Sequence, residues 1–419
     1  MTRVIGRLPN GKCARHATPH PPHSPSPVPV PPDHPVVPFR PLPAETLREI
    51  FLYCMVGSIS DLDPSNAPLV LRGVSRAWKT VADSTPCLWS TITVTPPQIL
   101  LSNVQVIREW LQRAGPTSTL NISVHVLPDF PNLNLLTGIL AEFMPSSRRW
   151  QHLDLSIPVG FLPLLLSNPG ASLPALESLQ LTLDHQPHLV IDRSATRLRS
   201  ISFKLSTLSP LNQLNGGRLD LAWHQITHLN IRTVTSTINA IWDIFLQCPR
   251  LLSLIITVSD NSSIRKMPPP RDHLFRSNIR QLTIVVNTHP VVIGHFIGRL
   301  YLPRLQELQL RFADPASEPY LWPRMAILDL RERCLPPLTS VAVAGKWICE
   351  ADLVDFVRKM RHLEQLDVTY GSVNLVTRTV RNLLPRDDDD IMQRRAAYWD
   401  EVYDANFFGK VSRRDDDMW

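Results

Sequence analysis

A six-residue aliphatic pattern, L-x-x-L-x-L, recurs through most of the chain and constrains its fold more than any other feature. Nine copies are recognisable, the earliest led by tryptophan, and they begin at Trp150, Leu176, Leu198, Ile226, Leu251, Ile279, Leu305, Leu338 and Leu363. Successive copies start 26, 22, 28, 25, 28, 26, 33 and 25 residues apart. Because leucine-rich repeats have periods of roughly 20–29 residues, this spacing predicts a leucine-rich-repeat solenoid with one insertion.

Helix-like segments precede several copies of the pattern. The clearest of them cover 236–247, 291–300 and 350–360. Repetition of helix, turn and short strand predicts an α/β solenoid with a parallel sheet on its concave face. A leucine-rich α/β domain of ordinary topology is the alternative, and the near-equal spacings favour the solenoid. The asparagine that the repeat consensus places at its ninth position is supplied only by Asn287, so we expect irregular turns.

Strand alternation predicts which side chains leave the core. Within the pattern the aliphatic residues point inward, so the third, fifth and seventh positions point to the open face of the sheet. The side chains selected in this way are Lys204, His228, Asn230, Arg232, Glu307, Gln309, Arg311, Gln365 and Asp367, and the first seven are the candidate binding residues. Arg232 and Arg311 are the strongest candidate anchors, since arginine is enriched at binding hot spots. The alternative is that these side chains are merely solvated.

Composition limits the class of protein. The 419 residues are 43% apolar and 19% charged, which is typical of a globular chain with a large core. The net charge of +6 is small and its basic residues are dispersed, so no nucleic-acid partner is expected. No apolar run is long enough to cross a membrane, and the first residues lack a secretory signal. Six cysteines without a C-x-x-C pair predict free thiols and a cytoplasmic or nuclear location.

Changes of composition along the chain predict four segments. Twelve of the forty prolines fall within 19–43, so residues 1–38 are expected to form a disordered arm. A short helical domain is predicted over 39–95 and the repeats over 96–384. The acidic segment 385–419 is either a capping helix or a loose tail.

The helical domain begins with "LPAETLREIFLYCMV" at residues 42–56. Pro43 suits the first turn of a helix, where its missing N–H costs nothing. Apolar residues then recur at helical spacing, namely Leu47, Ile50, Phe51 and Cys54. A second helix is predicted from about Pro68, with one apolar face made of Leu71, Val74, Trp78 and Val81. "CLWSTITV" at residues 87–94 then predicts a strand.

These two helices resemble the F-box, in particular that of the large F-box family of mushroom-forming fungi. The family pattern is roughly L-P-x-E-h-L-x-x-I-F, then V-C-R-x-W-x-x-h-A, then P-x-L-W. The matching residues are Leu42, Pro43, Glu45, Leu47, Ile50, Phe51, Val74, Arg76, Trp78, Ala82, Pro86, Leu88 and Trp89. Ser75 stands where the pattern commonly has cysteine. The resemblance covers residues 42–89 only, although leucine-rich repeats commonly follow this box.

The resemblance implies a subunit without chemistry of its own, which recognises substrates for an SCF-type (cullin–RING) ubiquitin ligase. The F-box would bind a Skp-family adaptor, and through it a cullin, using Leu42, Pro43, Leu47, Ile50, Phe51, Val74 and Trp78. The open-face residues would then bind a protein substrate, and no cofactor or metal is implied. The stripe on the first helix could instead pack on the first repeat, or serve both purposes.

Three other functions compete with this one. The chain contains none of the glycine-rich, zinc-protease or nucleophile-elbow motifs that would indicate an enzyme. A protein-interaction scaffold whose F-box no longer engages a ligase is the main alternative. A nucleic-acid reader ranks last, because aromatic residues are not interleaved with the basic ones.

Overall fold

The computed structural model of the protein describes part of the chain. The described residues are 42–55, 62–95, 104–126, 130, 132–166, 172–183, 189–190, 194–208, 219–236, 238–259, 275–287, 290–312, 322–334 and 338–384. The predictions for the arm 1–38 and the tail 385–419 lie outside these residues. The chain divides after Pro43 into two compact units, and everything described below from Ala44 onward belongs to the second unit.

Twelve strands form one sheet and lie in it in the order of the sequence. They are β1 Thr91–Val94, β2 Leu120–His125, β3 Trp150–Ser156, β4 Ser178–Leu183, β5 Ser200–Leu208, β6 His228–Ser236, β7 Ser253–Val258, β8 Gln281–Val286, β9 Glu307–Phe312, β10 Ser340–Ala344, β11 Gln365–Tyr370 and β12 Val373–Asn374. From β1 to β11 each strand is parallel to the next, and β12 pairs antiparallel with β11. Two short parallel pairs lie outside this sheet, Leu189–Val190 with Leu219–Asp220 and Phe275–Arg276 with Leu300–Tyr301.

Helices alternate with these strands. The α-helices are α1 Ala44–Met55, α2 Leu69–Val74, α3 Arg76–Asp83, α4 Val104–Arg113, α5 Leu133–Phe143, α6 Leu162–Leu166, α7 Ile238–Gln247, α8 Pro290–Gly298, α9 Arg324–Glu332, α10 Glu350–Lys359 and α11 Arg378–Arg381. Short 3₁₀ segments cover Pro86–Trp89, Met144–Arg149, Val159–Phe161 and Trp223–Gln225. The described part of the chain is therefore an α/β protein with a mostly parallel sheet, consistent with a leucine-rich-repeat-like solenoid. No helix among the described residues is both long enough and apolar enough to cross a membrane.

The in-register pairing of the repeats builds the core. Leu229, Leu254, Leu282 and Leu308 lie side by side on four successive strands, and all four are buried. Burial of each such side chain contributes about 1.5–3 kcal/mol, so every repeat is stabilised mainly by its two neighbours. Stabilisation through the interfaces between neighbouring repeats is the typical property of a solenoid.

The predicted repeat pattern is confirmed in its main features. All nine copies coincide with strands, β3 to β11, and the leading residue of every copy is buried. The three predicted helices are observed as α7, α8 and α10. Two further units, ending in β1 and β2, precede the first recognised copy. The strand predicted at residues 87–94 is confirmed in its second half as β1, Thr91–Val94, after the 3₁₀ turn Pro86–Trp89, whereas β2 was not recognised from the sequence.

Two turn positions differ from the expectation drawn from the consensus. Asn287 is exposed, and its backbone N–H donates to the carbonyl of Val258 at 2.8 Å. Lys346, whose side chain is longer than an asparagine, is fully buried, with its ammonium 5.4 Å from the centre of the Phe312 ring. The turns therefore use several different side chains, which makes the repeats irregular.

Candidate docking helices and the open face of the sheet

Helix α1 begins directly after Pro43, and its predicted apolar stripe is divided between the interior and the surface. Leu47 and Phe51 are 4% and 0% exposed and belong to the core. Ile50, by contrast, is 37% exposed, and Tyr53 on the same helix is 77% exposed. Only the outer part of the predicted stripe is accessible from outside, and Leu47 and Phe51, which the sequence also placed among the docking residues, lie in the core beneath it.

The second predicted helix is interrupted at Ser75. Its backbone is extended there (φ −161°, ψ 166°), so α2 ends at Val74 and α3 starts at Arg76. The Ser75 hydroxyl oxygen accepts a hydrogen bond from the backbone N–H of Trp78 at 3.1 Å and thereby caps α3. Val74, the last residue of α2, is 58% exposed. The single apolar face predicted for this segment is wrong in that respect.

Trp78 joins the two parts of the helical domain. Its ring lies 5.0 Å from that of Phe51, centre to centre, with the planes inclined by 55°. Trp78 is half-buried, so one part of it packs on Phe51 and another part reaches the surface. The tilted contact stabilises α1 against α3 by about 0.5–1.5 kcal/mol beyond area burial.

Exposed apolar side chains are concentrated in this helical segment. Thirteen large apolar side chains are exposed among the described residues from Ala44 onward, and five of them fall within residues 44–74. These five are Ile50, Leu52, Tyr53, Val70 and Val74. Such a concentration on so short a segment is typical of a surface that another protein covers. The remaining predicted docking residues, Leu42 and Pro43, belong to the first unit and are both exposed.

A cluster that the sequence did not reveal joins the helical segment to the sheet. The Asp83 carboxylate forms ion pairs with Arg72 at 2.8 Å and with Arg113 of α4 at 3.2 Å. Trp89 donates through its indole N–H to the Ala82 carbonyl at 2.8 Å, and Trp110 donates to the Trp89 carbonyl at 2.9 Å. The two indole rings are buried and meet edge to face at 4.9 Å. The helices and the first repeats therefore share one core.

The seven candidate binding residues lie on β5, β6 and β9, on the side opposite the buried rows. Lys204 and His228 are exposed and the other five are half-buried. Lys204 is the direct neighbour of Arg232 in the sheet, which brings two positive side chains together. Three strand spacings of about 4.8 Å separate β6 from β9. The Cα atoms of Arg232 and Arg311 are therefore about 14 Å apart across the sheet. The candidate residues therefore form two groups on one surface, the first on β5 and β6 and the second on β9.

Hydrogen bonds hold the side chains of β9 in place. The Thr283 hydroxyl donates to the Gln309 amide oxygen at 3.0 Å, and Arg311 donates to the same oxygen at 3.5 Å. Glu307 accepts from the Gln281 amide at 3.2 Å. This part of the face is therefore preorganised, which reduces the conformational entropy that these side chains would lose on binding a partner.

One polar residue of the open face, Asp154, was not selected from the sequence. The Asp154 carboxylate lies 3.4 Å from the His125 Nε2 and accepts from the Gln180 amide at 3.1 Å. Asp154 occupies the fifth position of the tryptophan-led copy, so the alternation rule would have found it. At the other end of the sheet, burial raises the pKa of the half-buried Asp367.

The cysteines among the described residues are free thiols, as the sequence predicted. All five within the described residues are free, with Cys54, Cys87 and Cys349 exposed. Burial raises the pKa of Cys248 to about 12 and that of Cys334 to about 11. Neither buried thiol can therefore act as a nucleophile near neutral pH.

Comparison with known proteins adds no family. No protein-family model matches the chain, and no curated protein is significantly similar to it. The resemblance of residues 42–89 to an F-box therefore rests on the residues themselves.

Proposed function

We propose that this protein is the substrate-recognition subunit of an SCF-type ubiquitin ligase. Helices α1 to α3 bind a Skp-family adaptor, and the open face of the sheet, on the concave side of the solenoid, binds a protein substrate. The observation that carries the proposal is the concentration of exposed apolar side chains at residues 44–74. A role of this kind needs no catalytic residues, because the ligase acts by holding a substrate lysine near a charged conjugating enzyme.

The exposed side chains supply the energy for docking. Ile50 and Val74 already lie at the surface, so a partner can cover them without opening the core. Complete burial of one such side chain contributes about 1.5–3 kcal/mol, and a few of them reach the strength of a binding hot spot. Leu47 and Phe51 contribute indirectly, by fixing the position of Ile50 on α1.

Charge substitution of the exposed residues tests the docking surface. Wild type and an Ile50→Asp, Val74→Asp double variant would each be co-purified with a Skp-family adaptor. Leu246→Asp is the matched control, because Leu246 is 72% exposed on helix α7, far along the chain from the docking helices. We expect the double variant to lose the adaptor and the control to retain it, since a charge buried without a partner is strongly unfavourable. If wild type recovers no adaptor, the ligase proposal fails and the scaffold function takes its place.

The proposed substrate surface needs its own test. An Arg232→Glu, Arg311→Glu variant reverses both candidate anchors, and an Arg250→Glu, Arg304→Glu variant changes the net charge equally. Arg250 and Arg304 are exposed and precede strands β7 and β9, outside the open face. We expect the first variant alone to lose substrates in a quantitative pull-down with adaptor binding intact. Equal recovery by both variants would refute the assignment of the open face.

A further inference from the structure

Ser75 stands in the middle of the proposed docking surface and carries a hydroxyl that can be modified. We propose that Ser75 is a phosphorylation site for an arginine-directed protein kinase, and that the phosphate switches adaptor binding off. This inference rests on the proposed function, since it concerns the same surface.

The geometry makes the Ser75 hydroxyl a suitable acceptor. Ser75 is exposed and is the one residue between α2 and α3, where its backbone is extended. Its oxygen accepts from the Trp78 N–H, so that bond does not use the hydroxyl proton. The side chain therefore keeps both its accessibility and its transferable proton in the folded protein.

Basic residues surround this serine. Arg72 precedes it by three residues, Arg76 follows directly, and Lys79 lies one turn further along α3. Arginine at the third position before a serine is the spacing that arginine-directed kinases recognise. Arg72 is paired with Asp83 at 2.8 Å, whereas Arg76 and Lys79 are exposed. Arg76 and Lys79 can pair with a phosphate once it is attached.

The phosphate would leave the fold intact and change the surface. It carries a charge of about −1.5 to −2 near pH 7 and would sit at the start of α3, where the helix dipole favours an anion. However, Val74 is the adjacent residue and the Trp78 N–H lies 3.1 Å from the serine oxygen. An adaptor that covers these two residues must also remove water from the phosphate, which is strongly unfavourable.

The transfer step is balanced with ATP as the co-reactant. The Ser75 Oγ forms a bond to the γ-phosphorus of ATP while the bond from that phosphorus to its bridging oxygen breaks. The hydroxyl proton passes to a base of the kinase, and ADP leaves. Cysteine, which the F-box pattern commonly has at this position, would not accept phosphate in this way, so the switch belongs to this chain.

Two nearly isosteric variants separate charge from shape. Asp and Asn both cap helices well, so Ser75→Asp and Ser75→Asn should both keep α3 intact and differ only in charge. We expect Ser75→Asp to bind the adaptor at least about tenfold more weakly than Ser75→Asn does, measured by calorimetry. Equal binding by the two variants, whether strong or weak, overturns the switch. A wild type that does not bind the adaptor instead overturns the proposed function itself.

Phosphorylation is tested directly with the full chain, ATP and the catalytic subunit of cyclic-AMP-dependent protein kinase. Mass spectrometry should find phosphate on Ser75 in wild type, and adaptor added beforehand should slow its appearance because the two events exclude each other. The Ser75→Ala variant controls for other sites. Absence of phosphate on Ser75, or incorporation at the same rate in the adaptor complex, overturns the proposal.

Discussion

Replacement of Phe51 by alanine tests the division of helix α1 into a buried and a docking part. The Phe51 side chain is fully buried, and its ring packs on Trp78 at 5.0 Å. Removal of a buried phenylalanine costs about 3–5 kcal/mol, which includes the lost aromatic contact and the cavity that remains. Ile50 is the preceding residue on the same helix but is 37% exposed, so Ile50→Ala should cost about 1 kcal/mol or less.

Hydrogen exchange measured by mass spectrometry is the appropriate assay. Repeat proteins open in parts, so a single global unfolding midpoint would not report on α1 alone. Peptides that span Ala44–Met55 should exchange much faster in Phe51→Ala, by a factor that corresponds to at least about 3 kcal/mol of lost opening free energy. The same peptides in Ile50→Ala should stay close to wild type, while adaptor binding falls.

The opposite pattern would refute this reasoning. If Ile50→Ala loosens the helix as much as Phe51→Ala does, then Ile50 is part of the core and the docking surface has been placed on the wrong side. If neither variant changes exchange but both lose the adaptor, the helix is fixed by contacts other than the one with Trp78.

Three further predictions concern the rest of the fold. At Gly345 (φ +81°) an added Cβ would lie 2.3 Å from a backbone oxygen, whereas at Gly371 (φ +58°) nothing lies within 4 Å. Gly371→Ala should therefore reduce the free energy of unfolding by only about 1–2 kcal/mol, the strain of a left-handed residue. Gly345→Ala should lower the denaturation midpoint clearly more than Gly371→Ala. Iodoacetamide at about pH 8 should modify the exposed cysteines in the native protein, while Cys248 and Cys334, whose pKa values are raised by burial, should react only after denaturation, as peptide mass spectrometry can show. Finally, burial raises the pKa of Asp367, so its ionised form opposes folding above that raised pKa. Asp367→Asn should therefore stabilise the protein near neutral pH, and the gain should vanish as the pH falls below the ordinary value of 3.8 in pH-dependent denaturation.

The sequence predicted the repeats well because their signal is local and repeated. A buried apolar residue at each first position, such as Leu251 or Leu305, follows from a period that nine copies share. The inward and outward sides of each strand follow from the two-residue alternation, which requires no knowledge of neighbouring strands. The parallel order of the strands then follows from stacking equal units.

The candidate site was less predictable because it depends on contacts between distant elements. Helical spacing placed Ile50 and Phe51 on one stripe, and only the position of Trp78 shows that Phe51 is inside while Ile50 is outside. The apolar periodicity predicted one continuous helix across Ser75. The serine instead caps a new helix by accepting from the Trp78 N–H, so the helix is broken there. Pairing of Asp83 with Arg113 joins two residues that are far apart in the sequence, and no local pattern encodes it.

The core shared by the helices and the sheet would fix the proposed docking surface relative to the proposed substrate surface. Catalysis by proximity requires that the substrate surface keep a fixed position relative to the docking surface. Here the 3₁₀ turn Pro86–Trp89 leads directly into β1, which pairs with β2 as the first strand of the sheet. Trp89 in turn is bonded on one side to Ala82 of α3 and on the other to Trp110 of α4. Rotation of the helices against the repeats would have to break these buried hydrogen bonds, so the proposed adaptor, bound at α1, would be held in one orientation to the open face.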